Sequence, residues 1–152
     1  MPTTEYDLVH GTLRSYPQQQ RPGWDEYFLG IATAVAARGD CLRSQVGAVL
    51  VGGDHRIRAT GYNGSEPGGP SCLRGECARC QSQVPAGTAY DECVETHAEA
   101  NALLHAAWSD CQGATLYITR PPCQGCSKLI RSAGIDHVLW PQGALSFTQE
   151  VA

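Results

Sequence analysis

Apolar residues recur at every third or fourth position in several stretches of the chain, the spacing of helices with one buried face. Residues 24–38 (WDEYFLGIATAVAAR) show this period with acidic residues in the first turn, which favours a helix start there. A second helix is predicted at 97–108. A third is predicted at about 123–133, where two prolines precede the first turn and a glycine follows the last.

Between these helices lie short runs that read as strands. Residues 46–51 and 56–62 flank a Gly-Gly-Asp turn and predict a β-hairpin. Two further strands are predicted at 115–119 and 137–140. Strands that alternate with helices indicate an α/β domain with helices on both faces of one sheet.

The polar N-terminal stretch and one irregular segment interrupt this pattern. Residues 1–22 are predicted to be a polar arm, and residues 23–152 one domain. Within that domain, residues at about 63–93 are rich in Gly, Pro, Ser and Cys and have little periodicity. Such a long irregular insert is unusual in a compact domain unless something holds it in place.

Charge and composition narrow the classes of partner. The formal net charge is -4 and the basic residues are scattered, which argues against a nucleic-acid polymer as partner but leaves a small anionic substrate open. The first residues lack the features of a signal peptide, and no apolar run reaches the roughly 18 residues of a membrane span, so we expect a cytoplasmic protein without a membrane partner. In a reducing compartment the eight cysteines favour metal binding over disulfides.

The candidate chemistry lies at the starts of two predicted helices. Cys123 and Cys126 are spaced by one helical turn, so both sulfurs can reach one ion, and a helix start favours their thiolate forms. With His97 they form a zinc-type ligand set that leaves a fourth position for water. Glu99 can reach that water without being a ligand. Taken alone, the C-x-x-C pair could be a structural zinc knuckle or a redox pair, and H-x-E a polar helix start.

These motifs together resemble a known family. H-x-E followed by P-C-x-x-C, with CLRSQVGAVLV, ATGYNG, HAEANALLHAA and ATLYITRPPCQGCSKLIRSAGIDHVLW, resembles the zinc-dependent cytidine/deoxycytidylate deaminase superfamily, and within it most closely the deoxycytidylate (dCMP) deaminases. The resemblance covers about residues 24–140. It implies a three-layer α/β/α cytidine deaminase-like fold with a mixed sheet of four to five strands. Because only 12 residues follow Trp140, we expect a sheet reduced toward four.

The resemblance also implies a reaction and a set of residues. His97, Cys123 and Cys126 would bind the catalytic zinc. Glu99 would carry protons to the cytosine ring and to the leaving amino group, so that dCMP becomes dUMP and ammonia. Asn63 resembles the residue that holds the sugar 3′-hydroxyl, although Asn-Gly is also a good turn pair.

Other residues are candidates for the substrate pocket. Ala98 resembles the position whose backbone contacts the base, and the short side chains of residues 46–48 (Val46, Gly47 and Ala48) would form one wall, unless they simply pack in a strand. For a phosphate, the nearest candidates by sequence are Arg43 and Arg120, although a lone arginine is usually a surface charge.

A second, structural zinc would explain how the insert is held. The resemblance supports such a site, for which we predict four cysteines, with Cys80 or Glu95 as substitutes. The alternative is that these residues are simply reduced thiols. The predicted ligands are Cys41, Cys72, Cys77 and Cys93.

The resemblance further implies a homo-oligomer and allosteric control by dCTP or dTTP. Two other functions stay open. The chain could deaminate another nucleoside, a modified nucleotide or a free base, or it could be a non-catalytic zinc-binding module. Glu99 argues against the last, because a structural zinc site has no need of a carboxylate beside it.

Overall fold

Five strands form one mixed sheet in a computed structural model of the chain, which describes residues 3–7, 12–16 and 21–148. The strands are β3 (Gly47–Val51), β4 (Ile57–Tyr62), β5 (Thr115–Ile118), β6 (His137–Trp140) and β7 (Gly143–Ser146). Their order in the sheet is β4-β3-β5-β6-β7, where β5 and β6 are parallel and the other neighbours are antiparallel. The predicted hairpin and the two later strands are therefore present.

The fifth strand corrects the expectation of a reduced sheet. That expectation rests on the 12 residues after Trp140, which are too few for another helix and strand. The chain needs no helix there, because β7 runs antiparallel to β6 and only Pro141 and Gln142 connect them. Antiparallel neighbours can be joined by two residues, whereas parallel neighbours need a long crossover.

Helices cover both faces of the sheet, as predicted. On one face, α1 (Trp24–Ala36) packs Phe28 and Ala32 against β3 and β5. On the other face, α3 (Ala98–Leu104) and α5 (Gln124–Ser132) pack against the sheet around Leu50, Leu116 and Val138. Every residue of β3 is buried, which explains its uninterrupted apolar sequence. None of the described helices is long and apolar enough to cross a membrane.

The helix predicted at 97–108 is shorter than expected. α3 ends at Leu104, and a separate short helix, α4, spans Trp108–Cys111. The Asp110 carboxylate accepts a hydrogen bond from the backbone N–H of Ala107 at 3.2 Å, which stabilises a new helix start at that point.

The N-terminal stretch contains two strands that the sequence pattern did not predict. β1 (Thr3–Asp7) and β2 (Thr12–Tyr16) pair with each other as a separate antiparallel sheet. The Cys-rich insert contains the short helix α2 (Ala78–Gln81) and a 3-10 turn at Tyr90–Glu92. Turns and loops make up most of the remainder of that insert.

Candidate active site

Two helix starts on the same face of the sheet bring the predicted zinc ligands together. His97 is the residue before α3, and Cys123 is the residue before α5. Nδ1 of His97 lies 3.4 Å from Sγ of Cys126 and 3.6 Å from Sγ of Cys123. Cys123 Sγ also accepts a hydrogen bond from the backbone N–H of Cys126, so the C-x-x-C pair caps its own helix.

The geometry and chemistry of these three donors fit zinc. Zinc bonds of about 2.0–2.3 Å at tetrahedral angles place neighbouring ligand atoms about 3.5 Å apart, close to the observed separations. Two thiolates and an imidazole are the soft and borderline donors that zinc prefers. Burial, together with the charge of Glu99, raises the pKa of the Cys126 thiol. A bound cation reverses this effect, because it stabilises the thiolate directly.

Glu99 lies beside this cluster in the first turn of α3 and is only 4% exposed. Burial raises the pKa of its carboxyl group, although a backbone hydrogen bond and the nearby Arg120 guanidinium oppose the shift. Its side chain hydrogen-bonds with Cys126. A carboxyl group that is buried next to a metal site and is not one of its three close donors is placed to accept and release protons.

A cavity of about 230 Å³ opens next to His97 and Glu99. Most of the predicted substrate-binding residues line it. Gly47 instead faces the backbone of α1, and Ala48 packs in the core on the α3 side of the sheet. The predicted residues that line the cavity are Arg43, Val46, Asn63, Ala98 and Arg120.

Asn63 holds one end of this cavity together. Its Oδ1 accepts a hydrogen bond from the backbone N–H of Val46 at 2.7 Å, and its Nδ2 donates to the carbonyl oxygen of Ser44 at 2.8 Å. Nδ2 also donates to Oε2 of Glu95 at 3.3 Å. The turn interpretation of Asn63 is thus incomplete, because the buried side chain fastens the start of β3 to the segment before α3.

Glu95 is a pocket residue that the sequence suggested only as a substitute zinc ligand. It is buried, and its Oε1 has no hydrogen-bond partner among the described residues. Burial raises the pKa of this carboxyl group to about 7. No spacing signal in the sequence links Glu95 to Asn63, since 31 residues of irregular chain separate them.

The two arginines predicted near a phosphate have different surroundings. The Arg43 guanidinium donates to the carbonyl oxygens of Val84 at 2.8 Å, Ser82 at 2.9 Å and Arg79 at 3.4 Å, so it fastens the insert to the segment before β3. Arg120 is exposed and donates one hydrogen bond to Ser44 Oγ at 3.1 Å.

Five cysteines of the insert and its flanks form a second thiol cluster. The sulfurs of Cys41, Cys72 and Cys80 lie within 4.8 Å of one another. Cys77 is the residue before α2, three residues ahead of Cys80, and its sulfur is 3.9 Å from that of Cys93. The structure therefore groups Cys80 with Cys41 and Cys72, whereas the sequence prediction favoured Cys77 and Cys93 and kept Cys80 as a substitute.

Burial raises the pKa of Cys72 and Cys80, and that of Cys93 to about 11, so a bound cation would be needed to hold these three as thiolates. Backbone N–H groups of Leu42 and Arg43 point at the sulfurs of Cys72 and Cys41, each at 3.4 Å. Burial opposes ionisation of Cys77, but hydrogen bonds from the backbone of Val94 and Cys80 and from neighbouring thiols more than offset it and lower its pKa to about 7. Hydrogen bonds to sulfur and a close group of thiols are typical of a structural metal site.

Comparisons with known proteins agree with this geometry. The family model described as "Cytidine and deoxycytidylate deaminase zinc-binding region" matches residues 22–141. A deoxycytidylate deaminase of Mycobacterium phage D29 is 54% identical over 127 residues, which cover 80% of this chain and 97% of the relative. A deoxycytidylate deaminase of Schizosaccharomyces pombe is 42% identical, covering 82% of this chain but only 38% of the yeast protein.

A solved structure shows the same fold. The dCMP deaminase of cyanophage S-TIM5, in complex with dCMP and dUMP, superposes with a TM-score of 0.61 at 29% sequence identity. The match covers 79% of this chain and 82% of the phage protein. The predicted three-layer fold with its mixed sheet is confirmed.

Proposed function

Because the chain belongs to the cytidine and deoxycytidylate deaminase family, we propose that it hydrolyses dCMP to dUMP and ammonia with zinc held by His97, Cys123 and Cys126. The observation that carries the proposal is the convergence of these three ligands with the buried Glu99, beside a cavity that His97, Glu99 and Cys123 line. Relatives named deoxycytidylate deaminase and a phage neighbour that binds dCMP and dUMP support the choice of substrate.

The chain's own residues supply binding, orientation and proton transfer. A zinc ion held by these residues would supply a water whose pKa is lowered toward neutrality. Glu99 would take one proton from this water as its oxygen bonds to C4, and pass that proton to N3 of the cytosine ring. It would then take the second proton from the oxygen now on C4 and deliver it to the amino group, which leaves as ammonia while C4 becomes the carbonyl carbon of dUMP. As the family resemblance implies, Ala98 and Val46 would position the base and Asn63 would contact the sugar; all three line the cavity.

A second, structural zinc belongs to the same proposal. The sulfurs of Cys41, Cys72 and Cys80 lie within 4.8 Å of one another, and Cys77 begins the short helix that carries Cys80. Four thiolates would close a tetrahedral site with no position left for water. This set replaces Cys93 of the sequence prediction with Cys80, because the α2 turn carries Cys80 toward Cys41 and Cys72.

The proposal extends to the wider organisation of the protein. We keep the polar arm at 1–22 and the deaminase domain at 23–152, in a cytoplasmic homo-oligomer. Leu104 and Trp108, 73% and 68% exposed at the ends of α3 and α4, offer an apolar surface for a second copy. Control by dCTP or dTTP is kept as a proposal from the family resemblance alone.

Ammonia release by the zinc-loaded protein tests the substrate. We expect a clear preference for dCMP over deoxycytidine, CMP, dCTP and 5-methyl-dCMP. The variant Glu99→Gln should keep its zinc and lose about 10²–10⁴-fold in kcat, the usual worth of general acid–base catalysis. Glu26→Gln, an exposed carboxylate on α1, serves as the matched control and should behave as wild type.

Three outcomes would overturn parts of this proposal. Retained turnover in Glu99→Gln would remove the proton-transfer role. Preference for another substrate in the series would keep the chemistry and replace dCMP. Zinc binding without turnover of any of these compounds would favour a non-catalytic module.

A further inference from the structure

Arg79 is a buried cation that the proposed mechanism leaves unused. It lies in α2 between Cys77 and Cys80 and is only 6% exposed. Its Nε donates a hydrogen bond to the carbonyl oxygen of Thr88 at 2.8 Å. Its guanidinium carbon lies over the ring of Tyr90, 4.8 Å from the ring centroid. These contacts fix the orientation of the side chain.

The charge of Arg79 is not balanced by a carboxylate. Within residues 21–148, the ion pairs are those of Arg58 and Arg74, and none includes Arg79. The nearby acidic residues Asp91 and Glu92 follow Tyr90 in the 3-10 turn and are exposed. A guanidinium withdrawn from water without a counter-charge is unfavourable, so its burial points to an anionic ligand.

The position of Arg79 places this cation at the substrate cavity. Arg79 lines the same cavity as His97 and Glu99. Tyr90 lies between Arg79 and His97, because its ring also meets the His97 imidazole edge-on with centroids 4.9 Å apart. One aromatic ring thus separates the guanidinium from a zinc ligand.

The other charged residues of the cavity are already engaged or exposed. Arg43 donates to three backbone carbonyls, one of them that of Arg79. Arg120 is exposed and bonded to Ser44. Of the two carboxylates that line the cavity, Glu95 is bonded to Asn63 and Glu99 to Cys126. The Arg79 guanidinium is therefore the buried cation with the most unused donor capacity, and a phosphate matches its planar fork of donors.

We propose that Arg79 binds the 5′-phosphate of the nucleotide and so selects a monophosphate over the free nucleoside. The proposal rests on the proposed function, because it assigns the phosphate end of the same cavity. It also gives the Cys-rich insert a role in specificity. The insert carries Arg79 between two cysteines of the thiol cluster, so the fold of the cluster sets the position of the cation.

Steady-state kinetics with dCMP and deoxycytidine test this assignment. Arg79→Met keeps an apolar stem over Tyr90 and removes the charge. We expect KM for dCMP to rise about 10- to 100-fold, the usual worth of a hydrogen bond to a charged group, with little change in kcat. Values for deoxycytidine should not change, because it has no phosphate. Arg79→Lys should raise KM for dCMP by a smaller factor, since ammonium lacks the bidentate fork.

The matched control is Arg38→Met. Arg38 also lies over a tyrosine ring, with its guanidinium carbon 5.8 Å from the centroid of Tyr62, but it is exposed and does not line the cavity. It should leave both substrates unaffected. Zinc content and the thermal midpoint Tm are measured for each variant, so that loss of the fold is recognised.

The results separate the failure of this assignment from the failure of the function. If Arg79→Met affects both substrates equally, or neither, the assignment is wrong and the phosphate is bound elsewhere. If Arg79→Met does not fold, Arg79→Lys decides, and a wild-type KM for dCMP would overturn the proposal. If the wild-type enzyme itself does not prefer dCMP to deoxycytidine, the proposed substrate is wrong whatever Arg79 does.

Discussion

The side chain of Asn63 donates a hydrogen bond to the buried carboxylate of Glu95, joining Nδ2 and Oε2 at 3.3 Å. The same carboxamide accepts from Val46 and donates to the Ser44 carbonyl, so Asn63 makes three hydrogen bonds to groups on both sides of the cavity. These hydrogen bonds stabilise the folded protein whether or not a substrate is bound. Substrate binding by Asn63 and its structural role can be measured separately.

Replacement of Asn63 by alanine should therefore destabilise the protein. It leaves the Val46 N–H and the Glu95 carboxylate without their partner, and each buried unpaired group costs about 1–3 kcal/mol. We expect a loss of about 2–4 kcal/mol in the free energy of unfolding, measured by urea denaturation of the zinc-loaded protein.

Gln45→Ala is the control for this prediction. Gln45 is exposed and donates one hydrogen bond to the Gly39 carbonyl at 2.9 Å, so its loss should cost less than about 1 kcal/mol. A stable Asn63→Ala protein with only a raised KM would contradict the structural role and leave sugar binding as the whole function of Asn63.

The second metal site gives a prediction that distinguishes two ligand sets. If Cys41, Cys72, Cys77 and Cys80 bind the structural zinc, Cys80→Ser should lower the zinc content from about two ions per chain to about one. It should also destabilise the insert, because metal binding contributes directly to folding. Cys93→Ser should keep both ions.

Elemental analysis of the purified proteins makes this measurement. Cys111→Ser is the matched control, because Cys111 is the last residue of α4, is buried in the core and is absent from both thiol groups. Its zinc content should equal that of wild type. Loss of one zinc in Cys93→Ser and not in Cys80→Ser would restore the set predicted from the sequence. One zinc in the wild-type protein would remove the second site altogether.

The part of this site that could be predicted depends on local spacing. One helical turn separates Cys123 from Cys126, and the start of one helix carries both His97 and Glu99, so the sequence fixes much of their relative geometry. Local spacing does not bring His97 to the two cysteines, which begin 26 residues later; that convergence was implied by the family resemblance, and the structure shows it.

The parts that could not be predicted depend on the path of irregular chain. The contact of Cys80 with Cys41 and the position of Arg79 follow from the course of the insert, which has no periodicity to constrain it. The β7 strand was missed for a different reason. Its residues are mostly exposed and show only a weak apolar pattern, and a two-residue connection is enough to place them beside β6 at the edge of the sheet.

Close packing between β4 and α3 gives a last prediction. A Cβ atom at Gly61 would overlap the carbonyl oxygen of Ala98 and the amide nitrogen of Ala102. Gly61→Ala must therefore push α3 away from the sheet, and with it His97 and Glu99. We expect a loss of about 1–3 kcal/mol in the free energy of unfolding. We also expect a fall in kcat of about 10²-fold, because displacements near 1 Å at reacting groups are that costly.

Gly47→Ala provides the control on the opposite face of the sheet. A Cβ atom there would overlap the backbone of α1 at Ala32 and Ala36, a clash of the same kind with a helix that carries no candidate catalytic residue. It should lower stability by a similar amount, but kcat should stay within a few-fold of wild type. If Gly47→Ala lost as much kcat as Gly61→Ala, the loss of activity would come from general destabilisation of the fold and not from displacement of α3. A selective rise in KM would instead return Gly47 to the wall of the base pocket.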